Sequence, residues 1–252
     1  MRITAKIAFM LLLCGATANS LKAQTESTSH VFPVIADGRF SDGSSFRSTF
    51  MISNSSSTLS ANCILGLRGM TADLVEANGR QIAATSTYSF VLNGNQWGIT
   101  RTGGTQNFAT GYASLSCSAP VTAHVLYSFY AASGVKFGEA TVFSSLRGSI
   151  LQLLTDQREG SMLGVAVTND SDLPVTYVVG AGDINGQLIG TNSFTIPARS
   201  TLLRFVSELV PAAGSNYVGQ FLISSNAGSV YAIGLRFSGG VFTTIPATVR
   251  AP

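Results

Sequence analysis

Apolar and polar residues alternate along two matching stretches of the chain, Gly111–Phe129 and Gly219–Phe237. Each stretch begins with Gly, continues through an apolar segment, crosses a Ser/Ala/Pro/Gly turn and ends in strict alternation. Residues two apart point the same way only in a β-strand, so each stretch is predicted to be two strands joined by a turn, with one buried face. The residues predicted to share that face are Val121, Ala123, Val125, Tyr127 and Phe129 in the first stretch, and Tyr231, Ile233, Leu235 and Phe237 in the second.

The features around these stretches also recur in the same order. The polar turn at Asn54–Ser56 matches Asn169–Ser171, and the dipeptide Asn78-Gly79 matches Asn185-Gly186. Asn-Gly predicts a hairpin turn in which both central residues take positive φ. Many short strands with frequent turn residues are typical of antiparallel β-sandwiches.

The pattern therefore predicts an all-β fold with two tandem antiparallel immunoglobulin-like β-sandwich domains, residues 24–145 and 146–252. The alternative is one continuous barrel of about fourteen strands. Two segments read differently from strands. Asn93–Gly104 is predicted as a loop around the single Trp97, and the apolar spacing of Ala198–Leu209 predicts a short helix or turn.

Residues 1–23 have the pattern of a secretory signal peptide, with basic Arg2 and Lys6, the apolar run Ile7–Cys14 and small residues after it. Cleavage after Ala18 or after Ala23 fits equally. A lipoprotein would need a small residue before Cys14, where Leu13 stands. The prediction is a secreted product without a membrane span, because no later apolar run is long enough to cross a bilayer.

The overall charge of +3 depends on the predicted signal peptide, which contains three of the fifteen basic residues. Without it, twelve basic residues balance twelve acidic ones, and Lys136 is the single remaining lysine. Nucleic-acid binding needs clustered cations to neutralise phosphates. The sequence therefore argues against a nucleic-acid partner.

Removal of Cys14 would leave Cys63 and Cys117, and an even pair in an exported protein predicts a disulfide. Both cysteines fall on predicted strands of the first domain. Two buried free thiols are the alternative, because strand register cannot be read from sequence. The second domain has Val178 and Ser225 at the matching places, so the bond is not a foundation of the fold.

Residues with catalytic or metal-binding chemistry are few. The two histidines, His30 and His124, have no spacing that would make a zinc site with cysteine. Ser133–Lys136 fits S-x-x-K but lies in a predicted hairpin without the partner motifs of that chemistry. The aspartate pairs Asp37/Asp42 and Asp170/Asp172 are either turn formers or calcium ligands. No catalytic, cofactor or metal residue is predicted, and the chain is expected not to be an enzyme.

Several aromatic residues lie in predicted loops or out of step with the core alternation: Trp97, Phe108, Tyr112, Tyr130 and Tyr217. Planar rings on a sandwich surface are how many sugar-binding modules hold polysaccharide. Trp97 and Tyr112 are therefore the candidate ligand contacts, with core packing or loop anchoring as the alternative.

Four segments of the chain resemble secreted β-sandwich repeats that are abundant in acidobacteria and similar soil bacteria. The resemblance lies in His30–Gly38 (HVFPVIADG), Val165–Asn169 (VAVTN), Ile196–Leu209 (IPARSTLLRFVSEL) and Gly234–Pro246 (GLRF…FTTIP). It covers nearly all of the mature chain and implies an extracellular interaction or surface-associated role, without any catalytic residue.

The function predicted from the sequence is a binding, adhesive or structural role at the cell surface or outside the cell. The partner would be an unknown protein or a polysaccharide, and no cofactor is needed. A carbohydrate-binding module acting beside polysaccharide-degrading enzymes is the first alternative. A hydrolase with a pair of acidic residues is the second.

Overall fold

A computed structural model describes residues 26–227, 229–239 and 241–250. The described chain is almost entirely β-structure in antiparallel sheets, which confirms the predicted all-β class. None of the described residues belongs to a helix long and apolar enough to cross a bilayer. The predicted signal peptide at residues 1–23, its cleavage sites and Cys14 lie outside the described residues.

The strands fall into two halves of the chain, which we call the N-terminal half (residues 27–143) and the C-terminal half (residues 150–249). The strands of the N-terminal half are β1 (Ser27–Arg39), β2 (Ser45–Ser53), β3 (Ala61–Arg68), β4 (Ala72–Glu76), β5 (Gln81–Thr85), β6 (Thr87–Leu92), β7 (Trp97–Thr102), β8 (Ala109–Tyr130) and β9 (Lys136–Phe143). Those of the C-terminal half are β10 (Ile150–Asp156), β11 (Met162–Asn169), β12 (Val175–Gly182), β13 (Leu188–Ile196), β14 (Ser200–Phe205), β15 (Val218–Ser225), β16 (Tyr231–Ser238), β17 (Val241–Pro246) and β18 (Thr248–Val249).

One nine-stranded sheet forms the N-terminal half, and the long strand β8 belongs to both of its layers. The first part of β8 pairs with β1 and β3, and β3 also pairs with β6. The second part pairs with β2 and β9, and the row continues from β2 through β7 and β4 to β5. Side chains of both layers meet in one apolar core, where the rings of Phe32 and Phe50 lie 6.2 Å apart.

Two separate sheets form the C-terminal half. Their strand orders are β13-β12-β15-β10-β18 and β14-β11-β16-β17. The fully buried Leu153 and Phe221 come from the first sheet and Val165 from the second, and all three belong to one apolar cluster. Burial of such side chains supplies the main stabilising free energy of a two-layer β-fold.

The order of strand pairing is the same in the two halves. In the first layer, β6-β3-β8-β1 corresponds to β13-β12-β15-β10. In the second, β7-β2-β8-β9 corresponds to β14-β11-β16-β17. The N-terminal half carries β4 and β5 in addition, at the place where its sequence is longer.

Buried asparagines occupy matching positions after β2 and at the end of β11. The amide of Asn54 donates to the carbonyl oxygens of Leu59, Leu92 and Asn93 at 2.7–3.2 Å. The amide of Asn169 donates to those of Leu173, Ile196 and Pro197 at 2.7–3.1 Å. Each side chain therefore holds the loop that follows its own strand against the end of a second strand, which is β6 for Asn54 and β13 for Asn169. Both are at most 1% exposed, so these bonds are made out of water.

Cys63 and Cys117 form the predicted disulfide, with Cα atoms 4.1 Å apart. They face each other across β3 and β8, so the bond joins neighbouring strands of one layer. The chain-entropy model gives about 4 kcal/mol for the 54-residue separation that it closes. In the C-terminal half Tyr177 and Ser225 face each other at this place and form no such bond.

The Asn-Gly turns form hairpins, but their geometry differs from the prediction. Gly79 has φ +86° and Gly186 has φ +80°, whereas Asn78 and Asn185 are not among the residues with positive φ. The amide of Gly79 bonds the carbonyl of Glu76 at 2.9 Å. The connection is thus a type I turn followed by a left-handed glycine, in which only the glycine needs positive φ.

Three further predictions were wrong about local structure. β8 runs without a turn through residues 116–121, where the first stretch has Pro120 but no glycine, whereas β15 and β16 are separate strands. Part of the predicted loop Asn93–Gly104 is strand β7, which pairs with β2 and β4. Half of Ala198–Leu209 is strand β14, and the predicted helix is limited to the four-residue helix α1 (Val206–Leu209).

Candidate functional site

A groove of about 630 Å³ opens at the side of the N-terminal half, where β6 approaches the β4–β5 hairpin and the start of β7. Its aromatic lining residues are Tyr88, Phe90 and Trp97. This volume is within the range of pockets that hold a small organic ligand. We call it the Trp97 groove.

Trp97 is the first residue of β7 and lies opposite Ser53 of β2. Its side chain is 66% exposed. A tryptophan held on a paired strand offers a large ring with little loss of conformational freedom on binding. The structure therefore places this predicted contact residue where a ligand can reach it.

The other two rings of the groove come from the edge strand β6. Tyr88 and Phe90 are stacked with ring centroids 5.2 Å apart and an interplanar angle of 21°. Tyr88 is almost completely buried, while Phe90 is partly exposed. Phe90 is therefore the second ring that a ligand in the groove would meet. Phe90 was not among the aromatic residues that the sequence indicated as candidate contacts.

Polar groups at the groove come mainly from the β4–β5 hairpin. Arg80 Nε donates to Glu76 Oε2 at 2.9 Å, Arg80 Nη2 bonds Glu76 Oε1, and the Tyr88 hydroxyl also donates to that carboxylate. Hydrogen bonds from Arg80 and then from Tyr88 lower the pKa of Glu76 to about 2. Glu76 is thus an anionic acceptor fixed in place at neutral pH, and the amides of Asn78, Asn95 and Gln96 complete the polar lining.

The groove contains one carboxylate, Glu76, among the described residues that line it. Glycoside hydrolysis normally uses two carboxyl groups on either side of the scissile bond, one of them protonated. Glu76 is ion-paired and has a lowered pKa, so it is a poor proton donor at neutral pH. The described lining of the groove therefore does not present the pair of carboxyl groups that a glycosidase uses.

Tyr112, the second predicted contact residue, is completely buried and offers no surface to a ligand in this structure. Its hydroxyl donates to Asp170 Oδ1 of the C-terminal half at 2.8 Å. Arg199 Nη1 bonds the same oxygen at 2.7 Å and Arg199 Nε bonds Asp172 at 2.9 Å. Burial, followed by the bond to Asp170, raises the pKa of Tyr112 far above its ordinary value. This side chain joins the two halves.

The aspartates considered as calcium ligands are bonded to protein donors. Asp42 accepts bonds from the amide and hydroxyl of Ser44, which lower its pKa. The buried Asp37 accepts a bond from the amide of Gly104 at 2.9 Å. Asp170 and Asp172 share Arg199. No group of three or more His, Cys, Asp and Glu side chains suited to a metal occurs within the described ranges.

His30 is buried at the start of β1, with 2% of its surface exposed. Its Nε2 lies 2.9 Å from the carbonyl oxygen of Val121, and its Nδ1 lies 3.0 Å from the Ser144 hydroxyl. A carbonyl only accepts, so the neutral ring carries its proton on Nε2 and accepts from Ser144. Burial lowers the pKa of His30, which indicates a neutral structural side chain.

Comparisons with known proteins assign no family to this chain. No protein-family model matches the sequence, and no curated protein is similar to it. One solved structure, the M60 catalytic domain with the CBM51-1 and CBM51-2 domains from Clostridium perfringens ZmpB, aligns with 89% of this chain at 8% identity and a TM-score of 0.18. The chain spans about a third of that structure (34%), and a likeness this weak carries no argument about fold or function.

Proposed function

We propose that this chain is a secreted, non-catalytic protein of two tandem immunoglobulin-like β-sandwich domains that acts by binding outside the cell. The matching pairing order of the two halves and the matching buried asparagines support the tandem arrangement. The disulfide supports an oxidising compartment. Kinship with the secreted repeats of soil bacteria and the domain boundary at residue 145 stay predictions.

We infer that its ligand is a saccharide bound in the Trp97 groove. The observation that carries this inference is the exposed ring of Trp97 beside Phe90, with Glu76 and the amides of Asn78 and Gln96 around them. The C–H faces of a pyranose ring are apolar and pack on aromatic rings, while its hydroxyl groups need charged or amide partners. A role beside polysaccharide-degrading enzymes is compatible with such a site.

Binding of residues 24–252 to an array of plant, fungal and bacterial polysaccharides tests this inference, followed by calorimetry on any positive. Trp97→Ala and Phe90→Ala are each expected to weaken binding by about 2 kcal/mol, roughly 30-fold in Kd. Phe137→Ala is the matched control, because Phe137 is also an exposed aromatic (58%) but lies on β9, away from the groove. No binding by the folded protein, or binding unchanged in both groove variants, would refute the saccharide site.

A protein partner is the second candidate, in an adhesive or structural role. It is supported by exposed apolar side chains that line one groove of the C-terminal half, Leu154 (69%) and Ile184 (77%). Exposed apolar groups gathered on one surface mark interaction sites in proteins that work in water.

A further inference from the structure

The two halves of the chain are joined by an apolar contact. Ala166 of β11 and Ile233 and Leu235 of β16 belong to the C-terminal half, yet they lie in the apolar cluster of the N-terminal half. All three are at most 7% exposed. They are on the outer face of the four-stranded sheet, opposite to Val165 and Ala232, which face that half's own core. This outer face is therefore a docking surface inside the chain.

The surface that receives it is centred on a bulge in β1. The pairing of β1 with β8 shifts between Phe32 and Ile35, so Pro33 and Val34 protrude. The hydroxyls of Thr168 and Thr201 donate to the carbonyl oxygen of Pro33 at 2.9 and 2.8 Å. Val34 is buried in the same cluster as Ala166. Small residues on the docking face thus meet a protruding segment.

Strand register identifies the equivalent outer face in the N-terminal half. In the N-terminal half, Ser53 precedes the buried Asn54 and pairs with Trp97. In the C-terminal half, Thr168 precedes the buried Asn169 and pairs with Thr201. Trp97 is therefore equivalent to Thr201. Two residues before Ser53, Met51 pairs with Ile99 on one side and His124 on the other. Ala166 pairs in the same way with Leu203 and Ile233, so Met51 is equivalent to Ala166. We call the surface of Met51, Trp97 and Ile99 the donor face. Within the described residues nothing is packed over this face as the N-terminal half is packed over Ala166, and Trp97 is 66% exposed.

Register likewise identifies the place in the C-terminal half that corresponds to Pro33. A Cβ added at Gly111 would lie 2.1 Å from the carbonyl oxygen of Arg68 on the paired strand β3, and one added at Gly219 would lie 2.1 Å from that of Gly182 on the paired strand β12. The same close approach marks Gly111 and Gly219 as equivalent positions. Two residues beyond them, Ala113 faces Phe32 and Phe221 faces Leu153. The residue after Leu153 is Leu154, which therefore corresponds to Pro33.

Leu154 is 69% exposed and lines a groove of about 460 Å³ together with Ile184, Val218 and Ile245. We call it the acceptor groove. The pairing of β10 with β15 is uninterrupted, so no bulge fills this place. Inside the chain, a bulge meets small side chains. On the two surfaces that do not take part in this internal junction the relation is reversed. The C-terminal half has a groove in place of the bulge, and the N-terminal half has the large side chains Met51 and Trp97 in place of the small ones, so the shapes of these two surfaces are complementary.

We propose that the donor face of one copy docks into the acceptor groove of a second copy and repeats the internal junction between molecules. The contact is head-to-tail, because the two surfaces differ and each copy has one of each. A heterologous contact that does not close into a ring produces an open chain of copies. The proposal rests on the tandem relation of the two halves, and its donor face shares Trp97 with the saccharide groove, so variants at other residues are needed to separate the two proposals.

Sedimentation velocity on residues 24–252 tests the proposal at concentrations up to about 1 mM, where a contact with a Kd of that order is measurably populated. The wild-type protein is expected to increase in mean mass with concentration. Met51→Glu removes the donor face and Leu154→Glu the acceptor groove, and each is expected to weaken association at least tenfold. An equimolar mixture of the two variants retains one intact surface of each kind and should stop at dimers.

Ile64→Glu is the matched control, because Ile64 is exposed (53%) on β3, which belongs to the other layer of the N-terminal half, and this variant should assemble like the wild type. Ile184→Glu repeats the acceptor test at a side chain that is 77% exposed, so folding is not at risk. A monomeric wild type, association unchanged in both variants, or a mixture that fails to form dimers overturns the proposal. Phe90→Ala should assemble normally and Leu154→Glu should still bind saccharide, so the two proposals fail separately.

Discussion

The buried amide of Asn169 allows a quantitative test of what holds the C-terminal half together. Its Nδ2 donates to three carbonyl oxygens, and its Oδ1 accepts from the amide of Ser171 at 3.0 Å and from the Ser171 hydroxyl at 2.7 Å. Asn169→Ala removes all of these bonds. The bond to Ile196 is buried, so the carbonyl oxygen of Ile196 loses this donor inside the core, whereas the carbonyl of Leu173 keeps a bond from the Ser171 hydroxyl at 2.9 Å.

A hydrogen bond contributes about 1 kcal/mol net, and a buried polar group left unpaired costs about 1–3 kcal/mol. One buried carbonyl left unpaired and the loss of the other bonds of the Asn169 side chain place the expected loss of unfolding free energy at about 3–4 kcal/mol, a large part of the total stability of a domain. Because Asn54 makes the same three donor contacts, Asn54→Ala should lose a similar amount. Asn62→Ala is the control at an exposed site and should change stability by less than about 0.5 kcal/mol.

Urea unfolding followed by circular dichroism measures these differences. Asn169→Asp adds a second test, since it keeps the shape but directs an acceptor at three carbonyl oxygens. It should destabilise at least as much as alanine at pH 7 and recover partly in acid, where the protonated carboxyl regains a donor. A loss below about 1 kcal/mol in both alanine variants would refute the assignment of these amides as structural ties.

Three other predictions concern the disulfide and two titrating groups. The double variant Cys63→Ala/Cys117→Ala should lose about 4 kcal/mol of unfolding free energy in urea, and an unchanged midpoint would contradict the bond. Because the folded pKa of Glu76 is lowered from 4.5 to about 2, its contribution is present above pH 4.5 and is lost as the pH falls toward 2. The contribution of the Glu76–Arg80 ion pair to the free energy of unfolding should be below about 1 kcal/mol, and this acid-dependent loss should be absent from the unfolding curve of Glu76→Gln. The pKa of His30 is also lowered, so the stability it confers is present above its unfolded pKa of 6.5 and lost as the pH falls through the folded value. Urea midpoints at pH 7.5 and 5 should differ more for the wild type than for His30→Asn.

Local patterns predicted the strands well, because alternation directly reflects which side chains are buried. Cys63 and Cys117 lie on strands β3 and β8 as predicted, and the two strands predicted in Gly219–Phe237 are observed as β15 and β16. The predicted face of β16 is buried, but by a different part of the chain than its own core. Ile233 and Leu235 are buried by the N-terminal half and not by their own core. Periodicity shows that a face is covered, but it does not show which part of the chain covers it.

The candidate site was predicted only in part for the same reason. Trp97 is exposed as expected, although on a strand and not in a loop. Tyr112 is out of step with the core of its own half, which suggested a surface ring, but the C-terminal half buries it and Asp170 bonds its hydroxyl. Glu76 comes close to Trp97 because β4 pairs with β7, and Phe90 comes from β6 of the other layer. Contacts of this kind are absent from local sequence.

A comparison of equivalent positions separates what maintains the fold from what differs between the halves. Asn54 and Asn169 keep the same residue type and the same bonds, because any change would leave carbonyl groups unpaired in the core. Trp97 and Thr201 occupy equivalent strand positions on an outer face, where the fold itself sets no residue type. Thr201 is small and seals the junction through Pro33, whereas Trp97 is large and faces water. Under the two proposals, the outer faces are where one backbone arrangement serves two uses, so substitutions there should alter binding and leave the β-sheets unchanged.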